Sequence, residues 1–212
     1  MKLTELLKTT TGRILFMSDL HYNHENVIRF DGRPFSNVYE MNKSIIDELE
    51  KNVHSDDILF DLGDLFWRCS DEEIKDILDR IHPWKFYKII GNHDKWPVYQ
   101  RLGKYFDLIC DQLDIKIEHG GKQYNLSLSH YPLVSWNHKP RGSFMIHGHC
   151  HGNIDQFNND SPDLRVDIGY GGSFVKGVGS FLISFDDILQ HFAKKAGTSD
   201  FKTYVQNNCK EL

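Results

Sequence analysis

The sequence predicts an α/β domain with a parallel first half and a largely antiparallel second half. Three observations carry this. Short apolar runs alternate with amphipathic stretches through the first half of the chain. From about residue 107 the pattern changes to apolar and polar residues alternating about turn residues. The 212 residues, 40% hydrophobic and 13% aromatic, supply a substantial core and suit one domain spanning 1–212.

Taken in order, "RILFMS" (13–18) reads as a buried strand and "NVYEMNKSIIDELEKNV" (37–53) as an amphipathic helix. "DILFDL" (57–62) repeats the strand, followed by the helical "SDEEIKDILDRI" (70–81), which opens with a Ser-x-x-Glu capping box. "KFYKII" (85–90) precedes a shorter helical stretch after Asn92. Three strand-then-helix units imply parallel strands with right-handed crossovers. In the second half, "LDIKIEHGGKQYNLSLSH" (113–130) alternates about Gly120-Gly121 as a hairpin does. "SFMIH" (143–147), "LRVDI" (164–168) and "SFLISF" (180–185) continue as strands, and the last helix is expected from Asp186 to Lys195. The tail 197–212 carries no pattern.

A net charge of −5 gives no global field for a polyanion, so extended nucleic acid is not expected, while compact anionic substrates are compatible. Cys69, Cys110, Cys150 and Cys209 are scattered without a CxxC pair, and "MKLTELLKTTTGR" has no apolar run long enough for a signal peptide. These features predict a reduced, cytoplasmic protein. No apolar run reaches transmembrane length, so no membrane partner is expected.

Polar residues cluster where strands end: Asp19-Leu20-His21, Gly63-Asp64, Gly91-Asn92-His93-Asp94, Ser129-His130-Tyr131-Pro132, and "MIHGHCHGN" (145–153). Ligands of open α/β sheets bind outside the carboxyl ends of the strands. One such Asp is ordinarily a helix cap and one such His a packed core residue; five clusters at five strand ends are a site. On an extended strand His147, His149 and His151 share one face and Cys150 points the other way. That spacing leaves three metal ligands, two with a bystander, or none.

In this order the clusters resemble the signature of the calcineurin-like metallophosphoesterase superfamily, D-x-H, G-D, G-N-H-[D/E], a lone H, then G-H-x-H. Here they stand as "DLH" (19–21), "GD" (63–64), "GNHD" (91–94), His130 and "GHCH" (148–151). "HYNHENVIRFDGRPF" (21–35) and "LSHYPLVSW" (128–136) look like a small bacterial and phage branch of that superfamily. The resemblance implies a β-sandwich of two sheets flanked by helices, and phosphoester hydrolysis by a hydroxide bridging two divalent metal ions. Residue by residue, it assigns Asp19, His21 and His151 to one ion and Asn92, His130 and His149 to the other, with Asp64 bridging. His147 precedes the motif's glycine and is expected to be a strand residue near the site, with Cys150 as packing. Oxygen and nitrogen donors without thiolate suit Mn²⁺, Fe or Zn²⁺, with Mn²⁺ favoured.

The resemblance also implies that His93 is catalytic, donating a proton to the departing alkoxide. In the protein-phosphatase branch the second motif reads G-D-x-x-D-R and its second Asp orients this histidine. Here "GDLFWR" (63–68) places Trp67 there, leaving Asp94 or Asp61 as substitutes. Arg68 stands where that branch has a phosphate-binding arginine. His24, Asn26, Arg29 and Arg33 are further candidates for the substrate rim, with capping and solvated surface as their alternative. The missing Asp and the short chain favour a small phosphodiester or nucleotide-type substrate over a phosphomonoester or phosphoprotein. A non-catalytic metal-binding domain fits less well, because structural zinc sites are closed and Cys-rich. A nucleic-acid module stacking bases on Trp67, Trp84, Trp96 and Trp136 lacks a basic stripe.

Overall fold

The computed structural model describes residues 2–8 and 11–196; the tail 197–212, with Cys209, lies outside the described residues. In chain order the elements are β1 (Lys2–Leu7), β2 (Ile14–Met17), α1 (Glu25–Asp31), α2 (Val38–Asn52), β3 (Ile58–Asp61), α3 (Asp71–Leu78), β4 (Lys85–Ile89), α4 (Trp96–Arg101) and β5 (Leu108–Cys110). There follow β6 (Gln112–His119), β7 (Lys122–Ser129), β8 (Phe144–His147), α5 (Asp155–Asp160), β9 (Arg165–Asp167), α6 (Ser173–Val178), β10 (Ile183–Ser184) and α7 (Phe185–Lys195).

Strands buried along their length are the mark of a sheet covered on both faces. β2 and β3 are buried at every position and β4 at all but its first. They pair in parallel, and the sheet runs β10-β2-β3-β4-β5. The second sheet runs β1-β6-β7-β8-β9. Phe185, at the start of α7, packs against Phe16 of the first sheet and against Tyr124 and Phe144 of the second, so one buried ring joins the two. The two sheets with flanking helices match the expected architecture.

The second half departs from the expectation of a largely antiparallel sheet. β6 and β7 form the expected hairpin, but β1 pairs with β6, β7 with β8 and β8 with β9 in parallel. The connections 130–143 and 148–164 are long enough to return the chain to the same end of the sheet, which parallel neighbours require. "SFLISF" supplies only the short β10, which leaves this sheet to pair antiparallel with β2. β1 and β5, edge strands that pair on one side, were not anticipated.

Side-chain caps set the helix starts. The Asn37 side chain accepts from Glu40 N (2.9 Å) to open α2, which buries Met41, Ile45, Ile46 and Leu49 on one face. The Ser70–Glu73 box opens α3 with both reciprocal bonds formed. No helix among the described residues is long and apolar enough to cross a membrane.

One buried charge departs from the apolar pattern. Lys88, in β4, is fully buried with Nζ 2.7 Å from both Asp61 Oδ2 and Asp94 Oδ2. Burial alone would lower its pKa; Asp61 and Asp94 raise it and keep the ammonium charged. Asp61 Oδ1 accepts from Gly63 N (2.9 Å), while Asp94 Oδ2 accepts from Asp64 N (3.0 Å) and Gly91 N (2.9 Å). The triad therefore fastens the loops that follow β3 and β4.

Replacing the cation should leave two carboxylates buried against each other. Lys88→Met is expected to destabilise the protein by about 3–5 kcal/mol, the usual result of removing one partner from a buried ion pair. A urea-unfolding midpoint checks this, and adding Asp61→Asn should recover part of the loss.

Candidate metal centre

The polar loops leave the carboxyl ends of β2, β3, β4, β7 and β8 and converge. Among the converging residues, Asp19 (φ 56°), His21 (49°), Asp64 (57°), His149 (69°) and His151 (49°) hold left-handed backbone. Side chains other than glycine adopt this region at a cost that surrounding structure must offset. The loops supply it by bonding to one another: Asp19 N donates to Gly63 O (2.9 Å), His21 N to Asp64 O (3.0 Å) and Gly148 N to His130 O (3.1 Å).

This backbone changes the reading of the three strand histidines. β8 ends at His147, and the left-handed turns at His149 and His151 replace the extended alternation that would have put all three on one face. His147 lies instead with Cys150 and Asp167. It is buried, with Nδ1 2.8 Å from Gly148 O and Nε2 3.1 Å from Asn158 Nδ2, and Asn158 Oδ1 accepts from Arg165 Nε (2.7 Å). Both ring nitrogens are thus committed to a packed polar network behind the site.

Asp19, His21 and His151 form one group whose donor atoms meet. Asp19 Oδ2 accepts from Ser18 Oγ (2.8 Å) and His149 N (2.9 Å), while Oδ1, buried and without a hydrogen bond, faces His151 Nε2 (3.4 Å) and His21 Nε2 (3.9 Å). The two Nε2 atoms are 3.2 Å apart. Burial alone would raise the Asp19 carboxyl, but His151, His130 and Ser18 hold it well below the ordinary carboxylate range. Burial alone would lower His151, yet its contacts with Asp19 and Asp31 push it up to about 10. An environment that favours an extra proton here favours a cation.

Asn92, His130 and His149 form the second group. Asn92 Oδ1 lies 2.9 Å from His130 Nε2 and 2.7 Å from His149 Nδ1. His130 Nδ1 is 2.9 Å from Leu62 O; a carbonyl only accepts, so the proton sits on Nδ1 and Nε2 keeps its lone pair for the site. Asp64 stands between the groups. Its Oδ1 accepts from His93 N (2.8 Å), and its Oδ2 is 3.4 Å from His130 Nε2 and 3.9 Å from His21 Nε2. All seven residues that the resemblance names as ligands are therefore brought together. An unsatisfied buried carboxylate oxygen, converging imidazole nitrogens and an amide oxygen form a donor set that fits divalent ions.

His93 sits at the edge of the centre, with its side chain 39% exposed and Nε2 4.0 Å from Asp64 Oδ2. The substitutes expected to orient it, Asp94 and Asp61, do not reach its ring, because both carboxylates turn inward to Lys88. Trp67 itself packs against His93, ring centroids 4.6 Å apart and edge to face, and stacks on His24 at 4.0 Å. His24 occupies the N-cap position of α1 without a capping bond, so its ring serves this stack rather than the helix. Arg68 lies over Trp67 (5.3 Å) and Arg29 over Phe30 (5.4 Å), and Asn26 is exposed on α1. Arg33, read as a rim or surface candidate, is buried and donates to the carbonyls of Asp19 (2.8 Å) and Leu20 (2.6 Å). The four tryptophans form no shared platform: Trp136 is buried, Trp96 bonds to Asp111 and Trp84 lines a cleft with Leu6 and Leu7.

Sequence reasoning missed Lys88, Asp31 and the part played by Arg33. A lysine inside an otherwise apolar strand is the signal that marks the first, since a fully buried lysine needs a carboxylate partner. The glycine of "GHCH" is explained by contact: a Cβ on Gly148 would stand 2.0 Å from Ser18 Oγ and 2.2 Å from Asp19 Oδ2. Gly148→Ala is therefore expected to cost about 1–3 kcal/mol and to weaken retention of divalent ions. Gly177→Ala, where a Cβ meets nothing within 4 Å, should cost nothing. Thermal melts with and without EDTA, together with elemental analysis, test both.

Comparison with known proteins follows the same lines. The profile of the calcineurin-like phosphoesterase family matches residues 12–196. Uncharacterized protein MJ1445 of Methanocaldococcus jannaschii is 35% identical over 155 residues, 72% of this chain and 78% of that protein. The crystal structure of the protein of unknown function AQ665 from Aquifex aeolicus superposes with a TM-score of 0.62 at 26% identity, covering 85% of this chain and all of that one. On this match, with the two-sheet fold and the donor groups at its strand ends, the chain belongs to the calcineurin-like phosphoesterase family, metal-dependent hydrolases of phosphoesters.

Proposed function

We propose that this protein is a dinuclear metal-dependent phosphoesterase that hydrolyses small phosphodiester or nucleotide-type substrates. The observation that carries the reading is the shared carboxylate, since Asp64 Oδ2 faces an imidazole nitrogen from each three-residue group. In this reading Asp19, His21 and His151 hold one ion, Asn92, His130 and His149 hold the other, and Asp64 bridges them. The pair of ions supplies a water of lowered pKa and Lewis acidity toward the phosphoryl oxygens. Neutral Asn92 adds a donor oxygen without adding negative charge, which keeps the centre attractive to phosphate. Mn²⁺ is the preferred ion for this donor set, ahead of Fe and Zn²⁺.

The preference for a diester rests on what surrounds the centre. A monoester dianion calls for more cationic groups than a diester monoanion. Of the arginines near the rim, Arg33 is committed to Asp31 and to backbone carbonyls, and Arg29 and Arg68 lie over aromatic rings. His93, exposed at the edge with the Asp64 carboxylate 4.0 Å from its Nε2, acts as general acid toward the leaving alkoxide.

Two experiments test the reading. Metal analysis is expected to give two divalent ions per chain. With Mn²⁺ present, kcat/KM should be higher for bis(nitrophenyl) phosphate than for nitrophenyl phosphate, and activity on long single-stranded DNA should be weak. A preference for the monoester would support a phosphatase and give Arg68 the phosphate; two bound ions without turnover of any phosphoester would support a non-catalytic metal-binding domain.

The second isolates His93. For an alkyl ester, His93→Asn should lower kcat by about 10²–10⁴, the range for a lost general acid. A nitrophenolate leaves readily without a proton, so the same substitution should cost much less there, with metal content unchanged. Equal losses on both esters would remove the general-acid role.

A further inference from the structure

The segment Asp31-Gly32-Arg33 lies outside the five strand-end clusters, yet its charged side chains are buried against one of them. Asp31 ends α1, and Gly32 follows in left-handed backbone (φ 61°) as its C-cap, which lets Asp31 and Arg33 both turn inward. The Asp31 side chain is 4% exposed and that of Arg33 1%. Arg33 Nε and Nη2 donate to Asp31 Oδ2 at 3.0 and 2.8 Å. The remaining guanidinium donors reach the carbonyls of Leu20 and Asp19, and the guanidinium lies 4.3 Å over the Tyr170 ring. His151 Nδ1 stands 2.9 and 3.0 Å from the two Asp31 oxygens. Gly171 leaves the room for this: a Cβ there would approach Asp31 Cγ to 2.8 Å.

We propose that Asp31 is a positioning residue for the metal centre, holding His151 with its proton on Nδ1 and its Nε2 lone pair turned to Asp19 and His21, while Arg33 locks Asp31 in that place. This inference rests on the reading of the cluster as a metal centre. A carboxylate at this separation only accepts, so Nδ1 must donate, and the coordinating nitrogen is then fixed. A third carboxylate beside Asp19 and Asp64 would ordinarily compete for the ion. Arg33 prevents that by occupying Asp31 Oδ2 and neutralising its charge, and the same guanidinium fixes the backbone that carries Asp19. The segment is thus one device acting on two residues of the same group.

The test uses the full chain with Asp31→Ala, Asp31→Asn and Asp31→Glu. Mn²⁺ affinity is measured by chelator competition. In the Zn²⁺-loaded protein, histidine ring ¹⁵N shifts report which nitrogen of His151 carries the proton. Asp31→Ala is expected to weaken one of two Mn²⁺ ions by about 10- to 100-fold, the usual cost of losing a partner to a ligating histidine. The single Nδ1-protonated signature of His151 should be lost, and Asp31→Glu should restore part of both. If Asp31→Ala does not fold, Asp31→Asn, which keeps the shape but weakens the acceptor and releases Arg33, should show the same direction of change. Wild-type Mn²⁺ affinity and an unaltered His151 signature in a folded Asp31 variant would overturn the inference while leaving the metal-centre reading intact. A wild-type chain that takes up no Mn²⁺ would overturn both.

Discussion

Two carboxylates buried side by side at the ends of adjacent strands require a cation between them, and Lys88 is that cation. Its worth is less in net stability, since buried ion pairs return little more than they cost to desolvate, than in the geometry they impose. Asp61 and Asp94 each spend their other lone pairs on backbone N–H groups, and those groups belong to Gly63, Asp64 and Gly91. Asp64 and the Asn92-His93 turn are therefore registered against each other from beneath, out of reach of solvent. Tyr99 completes the network by donating to Asp94 Oδ1 (2.8 Å), which ties α4 to the same point.

On this base the centre is built by loops held in costly conformations. Five of the seven converging residues have left-handed backbone, and bonds between neighbouring loops hold Asp19, His21 and Asp64 in place. Close backbone approach does the rest, since Gly148 lies where any side chain would strike Ser18 and Asp19. Such a site is preorganised: its donors already face one another, so a bound ion would find its ligands in place. The two groups differ in support. The Asp19 group is deep and braced by Ser18, Asp31 and Arg33, whereas Asn92 is exposed and His149 half-buried beneath Tyr131.

The edge of the centre is where this chain departs from the protein-phosphatase pattern. Trp67 replaces a carboxylate, and the result is an aromatic surround in which His93 is held by ring contact and His24 is stacked alongside. Among the described residues no carboxylate hydrogen-bonds to the His93 ring.

Much of this was legible in the sequence. Apolar runs gave β2, β3 and β4, the capping box gave α3, and the Gly-Gly turn gave the β6–β7 hairpin, because each rests on neighbours in the chain. The resemblance of the ordered D-x-H, G-D, G-N-H-D, H and G-H-x-H clusters to the family signature named the seven residues that the fold brings together. What only the tertiary structure decided were pairings over long separations: the parallel arrangement of β7, β8 and β9, the burial of Lys88 between Asp61 and Asp94, and the bond from Asp31 to His151 across 120 positions. It also supplied the reason that His147 parts from His149 and His151, as the resemblance implies, since a period-two rule holds only while a strand lasts and β8 ends at His147. Local propensity and spacing are properties of the chain, whereas charge compensation and strand order depend on which distant segments the fold brings into contact.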